Sequence, residues 1–171
     1  MISNLDKSQF SINGEVGLPE NYPVPKNIDN LLFYIQRNLN KNTVVYALNL
    51  DPNGCINEHF PMKVFWIKYT DGGVREELNY IQTKAFGYSS TKINNNTFEF
   101  KMDSYHDLRF FIAKDKNNSH NIITKVNGAD ARLNNIYVYA NEFGLFPKVE
   151  YIELYGHYTE SSFPAYQKIL I

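Results

Sequence analysis

The stretch LLFYIQRNLNKNTVVYALNL (residues 31–50) decides the reading of the fold. Two runs rich in β-branched and aromatic residues, LLFYIQRN (31–38) and TVVYALNL (43–50), flank the short polar segment LNKN. A polar loop of that length between such runs predicts an antiparallel hairpin. Closed symmetrically, the hairpin sets Arg37 opposite Val44, Ile35 opposite Tyr46 and Phe33 opposite Leu48. Strand side chains alternate between faces. One face therefore carries Leu31, Phe33, Ile35 and Arg37 with Val44, Tyr46, Leu48 and Leu50, and it is the core face. Arg37 stands at the end of this apolar surface. A guanidinium there needs a counter-charge, or it reaches water at the rim of the fold.

The same rhythm continues along the chain. Further strands are expected over 63–69, 97–102, 107–113, 121–126, 132–140 and 148–158. TKVNGADAR (124–132) sets an Asn-Gly pair between two extended runs, a strong hairpin signal. The aromatic content of 15%, with 13 Tyr and 12 Phe, suits pleated surfaces. VFWIKYTDGGVREELNYIQTKAFGY (64–88) breaks the rhythm. After its Gly-Gly turn, Val74, Leu78, Ile81 and Ala85 recur at helical spacing. Asp71 or Gly73 would start the helix, Lys84 would lie in its last turn and Gly87 just beyond it. The expected architecture is mainly β: an antiparallel β-barrel or two-sheet sandwich of about eight strands, with one covering α-helix. Residues 1–30, broken by Gly14, Gly17, Pro19, Pro23 and Pro25, read as an extended N-terminal arm, and 31–171 as a single β domain.

Composition excludes several functions. A net charge of −1 and a sequence pI near 6.4 give no basic face for nucleic acid. No apolar run has the length of a transmembrane segment. The start of the chain lacks the basic and apolar regions of a signal peptide. The single Cys55 excludes an intramolecular disulfide. Cys55 and His59 share a loop, but nothing orients them as a nucleophile and base. The four histidines show no metal-ligand spacing, and no phosphate loop or nucleophile elbow is present. No catalytic residue, metal or cofactor is expected.

VEYIELYGHY (149–158) holds the remaining polar candidate. With its tyrosine face inside, Glu153 is a buried acid and Arg37 its counter-ion. With Ile152 and Leu154 inside, Glu153 is a surface acid. Trp66, alternating with Val64 and Lys68, floors a ligand pocket or packs in the core. The expected ligand-binding residues are Arg37, Tyr46, Trp66, Glu153 and Tyr155. By analogy with aromatic-rich eight-stranded barrels that enclose one ligand, the expected function is a non-enzymatic binding module for a small, partly apolar ligand in or at the mouth of a barrel. One alternative is a structural module for a protein partner; another is a hydrolase or isomerase using Arg37, Glu153 and a tyrosine.

LLFYIQRNLNKNTVVYALN, KVFWIKYTDGGVREELNYIQTKAFGY and VEYIELYG resemble an uncharacterised bacterial domain family of unknown function, over roughly residues 31 to 156. The resemblance implies no activity, ligand or catalytic residue. Its members are often exported or lipoprotein-like, which implies export where a leader has been removed.

Overall fold

The expected hairpin forms in the computed structural model, which describes residues 22–142, 144–145 and 147–171. Strands β1 (Leu31–Arg37) and β2 (Thr43–Leu48) pair antiparallel, with Phe33 opposite Tyr46 and Ile35 opposite Val44. This register differs by two residues from the symmetric closure. The connection spans residues 38–42, within which the Asn40 Oδ1 accepts from the Asn42 amide at 2.9 Å. A slip of two leaves every side chain on its original face, so Phe33, Ile35, Val44, Tyr46 and Leu48 all enter the main core. A bulge between Leu31 and Phe33 exchanges the first two residues, and Leu32 rather than Leu31 packs on that core.

The chain continues through β3 (Met62–Lys68), a 3₁₀ turn (Tyr69–Asp71), β4 (Val74–Glu77), α1 (Tyr80–Phe86), β5 (Tyr88–Asn94) and β6 (Thr97–Met102). β7 (Tyr105–Lys114), β8 (His120–Val126), β9 (Ala129–Asn141), β10 (Lys148–Tyr158) and β11 (Pro164–Leu170) follow. Asn127 and Gly128, both at positive φ, make the two-residue turn expected between β8 and β9. The main path of the sheet is β4-β3-β2-β1-β9-β8-β7-β6-β5, and β10 and β11 branch from β9. The long β9 serves three partners: β8 along Ala129–Arg132, β1 along Asn135–Val138, and β10 over most of its length.

Two features correct the expected architecture. β1 and β9 run parallel, so the sheet is mixed. The sheet curls into a half-barrel and forms neither a closed barrel nor two distinct layers. The curl is visible in the core, where Phe33 of β1 lies 6.1 Å from Phe100 of β6, four strands along the path. Phe33, Tyr46, Phe98, Phe100 and Phe110 fill the concave face with 0–1% exposure each.

The helix is present but shorter and differently placed. Gly72 and Gly73, at φ 83° and 85°, reverse the chain into β4, which pairs with β3. Val74 is therefore an exposed strand residue, and the helix begins only after Asn79. Asn79 accepts from the Gln82 amide while the Gln82 side chain accepts from the Asn79 amide, each at 2.9 Å. Ile81 is 77% exposed, so the expected inner stripe does not exist; Leu78 and Phe86, flanking or ending the helix, make the core contacts. α1 bridges the two ends of the main path. Nearby, the Tyr88 hydroxyl donates to the Met62 carbonyl at 2.7 Å and accepts from its amide at 2.8 Å. Burial raises the Tyr88 pKa to about 12, against the lowering effect of the Met62 bond.

Most of the expected arm, residues 1–21, lies outside the described residues. Residues 22–28 cross the convex side of the sheet. The Tyr22 hydroxyl donates to the Arg37 carbonyl at 2.7 Å, and Gln36 donates to the Pro23 carbonyl at 2.7 Å. Val24 and Ile28 pack on Tyr34, Val45 and Ile67. A chain beginning at Ile28 is therefore expected to be about 2–4 kcal/mol less stable than one beginning at Tyr22, from two hydrogen bonds and the Val24 contacts. Equal urea midpoints for the two truncations would show that this segment contributes nothing.

Candidate functional site

The concave face ends at a rim where three elements meet. β1 ends with Arg37, β3 brings Trp66 and Lys68 to one face, and α1 ends at Phe86. Arg37 lies on the core face, as the hairpin pattern requires. Its Cζ sits 4.8 Å from the centre of the Trp66 ring and 6.0 Å from that of Phe86. Phe86 meets Trp66 edge-on at 5.4 Å, and the Lys68 Nζ lies 4.6 Å from the Trp66 ring. These are cation–π distances, and they hold two cations on one indole.

The hydrogen bonding at this rim is incomplete. The Arg37 Nη2 donates to the Asn40 Oδ1 at 3.1 Å. The Arg37 Nε and the Trp66 Nε1 are buried and find no acceptor among the described residues. Trp66 as a whole is only 2% exposed. Burial lowers the Arg37 pKa from its ordinary value, with a smaller opposing effect from Tyr22. Glu76 pairs with Trp66 across β3 and β4, so it shares that face, but it is exposed.

Tyr46 lies deeper. Its ring stacks on Phe33 at 4.2 Å, and its hydroxyl donates to the Phe86 carbonyl at 2.6 Å. Burial, with the nearby Tyr88 and Asp103, raises its pKa. The hydroxyl thus ties the end of α1 to β2. Lys68 was visible beside Trp66 in the sequence. Phe86 was not, because the helical spacing that begins at Val74, a β4 residue, leaves it out.

Glu153 and Tyr155 form a different cluster. Glu153 lies opposite Tyr137 in the β9–β10 ladder, whereas Arg37 lies opposite Val138. Neighbouring residues on β9 face opposite ways, so Arg37 and Glu153 are on opposite sides of the sheet and do not form an ion pair. The two alternatives for β10 are both half realised. Ile152 and Leu154 join the main core, and Glu153 is nonetheless buried at 1% exposure on the convex side. A layer of Tyr22, Tyr137, Tyr139, Tyr151, Tyr155 and Tyr166 covers that side. Tyr166 donates a short hydrogen bond to the Glu153 Oε2. The Tyr155 hydroxyl, the Asn135 Nδ2 and the Gln36 Oε1 are buried there without partners among the described residues. Burial first, and then the negative charge of Glu153, raises the pKa of Tyr155. For Tyr166 burial again leads, followed by its bond to Glu153.

The structure thus brings together Arg37, Trp66 and, behind them, Tyr46, and separates Glu153 and Tyr155 from that group. Among the described residues no three His, Cys, Asp or Glu side chains converge as a metal site. Among them, too, no helix is long and apolar enough to cross a membrane. Cys55 is exposed in a loop closed by Asp51, whose Oδ1 accepts from the Cys55 amide at 2.9 Å.

Comparison with known proteins places the chain in one family. The family model described as a domain of unknown function (DUF4833) matches residues 33–168, and the chain belongs to that family. No curated protein and no solved structure matches it.

Proposed function

We propose that this member of the DUF4833 family is a non-enzymatic binding module that takes a small, partly apolar monoanion at the rim of the half-barrel. One observation carries the reading: the stacked side chains of Arg37 and Trp66 each hold a buried N–H donor with no acceptor among the described residues. A buried donor left unmet costs about 1–3 kcal/mol, so a ligand oxygen bonded there recovers that loss. Arg37 and Lys68 each carry a positive charge and Glu76 a negative one, a net charge of +1 that suits one carboxylate. Trp66 and Phe86 supply the apolar wall, and α1, with no buried residue of its own, covers the site.

The site is at the mouth and not in the interior, because aromatic side chains fill the concave face. Tyr46 shapes the cover through Phe86, and Glu153 and Tyr155 are not assigned to this ligand. The hydrolase or isomerase alternative needs Arg37 and Glu153 in one site, and it loses its support once they lie on opposite faces.

Trp66 is the single tryptophan, so its indole N–H resonance reports on the rim alone. Titration with benzoate is expected to shift that resonance saturably, and benzamide to bind more weakly. Arg37→Met should weaken benzoate by about tenfold or more, equivalent to ~1.4 kcal/mol. An indole resonance that benzoate leaves in place, or equal affinity in Arg37→Met, would sink the proposal.

A further inference from the structure

The convex side of the sheet holds a groove of about 240 Å³ between the arm and the β3–β4 hairpin. Val24 and Ile28 form one wall, and Ile67 and Tyr69 the other. Its two charged lining groups, Lys26 and Arg75, come from opposite sides, and no acid lines it. Glu77, two residues from Arg75 and on the same face of β4, is not part of the lining.

Neither cation has a carboxylate partner among the ion pairs of the described residues. The Arg75 guanidinium lies 5.0 Å from the centre of the Phe65 ring. It makes one long hydrogen bond, 3.4 Å, to the Asn27 carbonyl. Stacking on a ring leaves the edge of a guanidinium, where its donors lie, open to a ligand. We infer that this groove is a second binding site, for a free small amphipathic carboxylate whose head pairs with Arg75 and Lys26 and whose short tail lies along Val24, Ile28 and Ile67.

The inference is independent of the rim site, since Ile67 and Trp66 are neighbours on β3 and face opposite ways. Three properties of the groove select the ligand. Its volume is below the roughly 300–1,000 Å³ of drug-sized sites, so the tail is short. Val24, Ile28 and Ile67 give it an apolar strip, so a tail adds affinity that acetate lacks. Its two cations favour an ionised head, and that attraction weakens with salt because the groove is open to solvent.

Octanoate is the probe, with octanamide as its neutral counterpart and acetate as the head alone. Amide resonances of residues 24–28, Ile67, Tyr69 and Arg75 are expected to shift saturably with octanoate. Octanamide and acetate should each bind at least about tenfold more weakly. Lys26 and Arg75 are both exposed, so Arg75→Gln and Lys26→Gln keep the fold. Each should weaken octanoate several-fold, and the double change more than either. Equal binding of octanoate and octanamide would overturn the inference, as would unchanged affinity in both variants. Shifts confined to the Trp66 indole would also overturn it, by placing octanoate at the rim. Anionic vesicles that bind in an Arg75-dependent way while free octanoate does not would overturn it in favour of a membrane surface.

Discussion

Phe33→Ala is expected to cost about 3–5 kcal/mol, the range for removing a buried aromatic ring from a core that cannot collapse around it. Phe33 has no exposed surface. Its ring stacks on Tyr46 at 4.2 Å with 6° between planes, and it lies 6.1 and 6.3 Å from Phe100 and Phe110. It therefore joins the two arms of the curled sheet, β1–β2 and β6–β7. Against a total stability of roughly 5–15 kcal/mol for a domain, such a loss is a large fraction. Phe163→Ala, at a residue 71% exposed, is expected to change stability by no more than about half a kcal/mol. Urea unfolding of both variants checks the contrast. A loss under about 1 kcal/mol for Phe33→Ala would mean that the two arms are not held by this stack.

Gly156→Ala is expected to destabilise by about 3 kcal/mol or more, the upper end for forcing an extra methyl into a packed site. Gly156 lies on β10 at the bulge where its ladder with β9 shifts register. A Cβ there would sit 2.1 Å from the Arg132 carbonyl oxygen and 3.2 Å from the Leu133 Cα. Both are main-chain atoms of the strand that also holds β1 and β8, so neither can move aside alone. Where the backbone tolerates it, Gly→Ala stabilises by about 0.4–1 kcal/mol, through the unfolded chain. The sign alone is therefore informative. An unchanged or raised denaturation midpoint would show that β9 and β10 are not this close at Gly156.

The face assignment of the first hairpin was legible because alternation survives any even error in register. Phe33, Ile35, Tyr46 and Leu48 had to share a face whether the loop closed at LNKN or two residues differently. The Asn127–Gly128 turn was legible for another local reason, since two residues at positive φ favour that pair. Arg37 followed from the same alternation: its place at the end of an apolar face is a fact about residue order.

The helix is legible in the sequence but its start is not, because Val74, Leu78, Ile81 and Ala85 satisfy a helical period by coincidence. Only the pairing of β4 with β3 shows that Val74 belongs to a strand. Glu153 was undecidable for a related reason. Periodicity assumes one wet face, and β10 has none over Ile152–Gly156, where all five residues are buried. The groove at Lys26 and Arg75 had no sequence signal at all, since the two residues are far apart along the chain.

By itself, then, the order of residues determined the strand-rich character, the hairpins and the side on which each hairpin residue lies. These depend on alternation and turn chemistry, which act over a few bonds. Only the tertiary structure decided the parallel β1–β9 pairing, the half-barrel curl and the separation of Arg37 from Glu153. Those depend on which distant strands share β9, a competition settled by packing across the whole sheet.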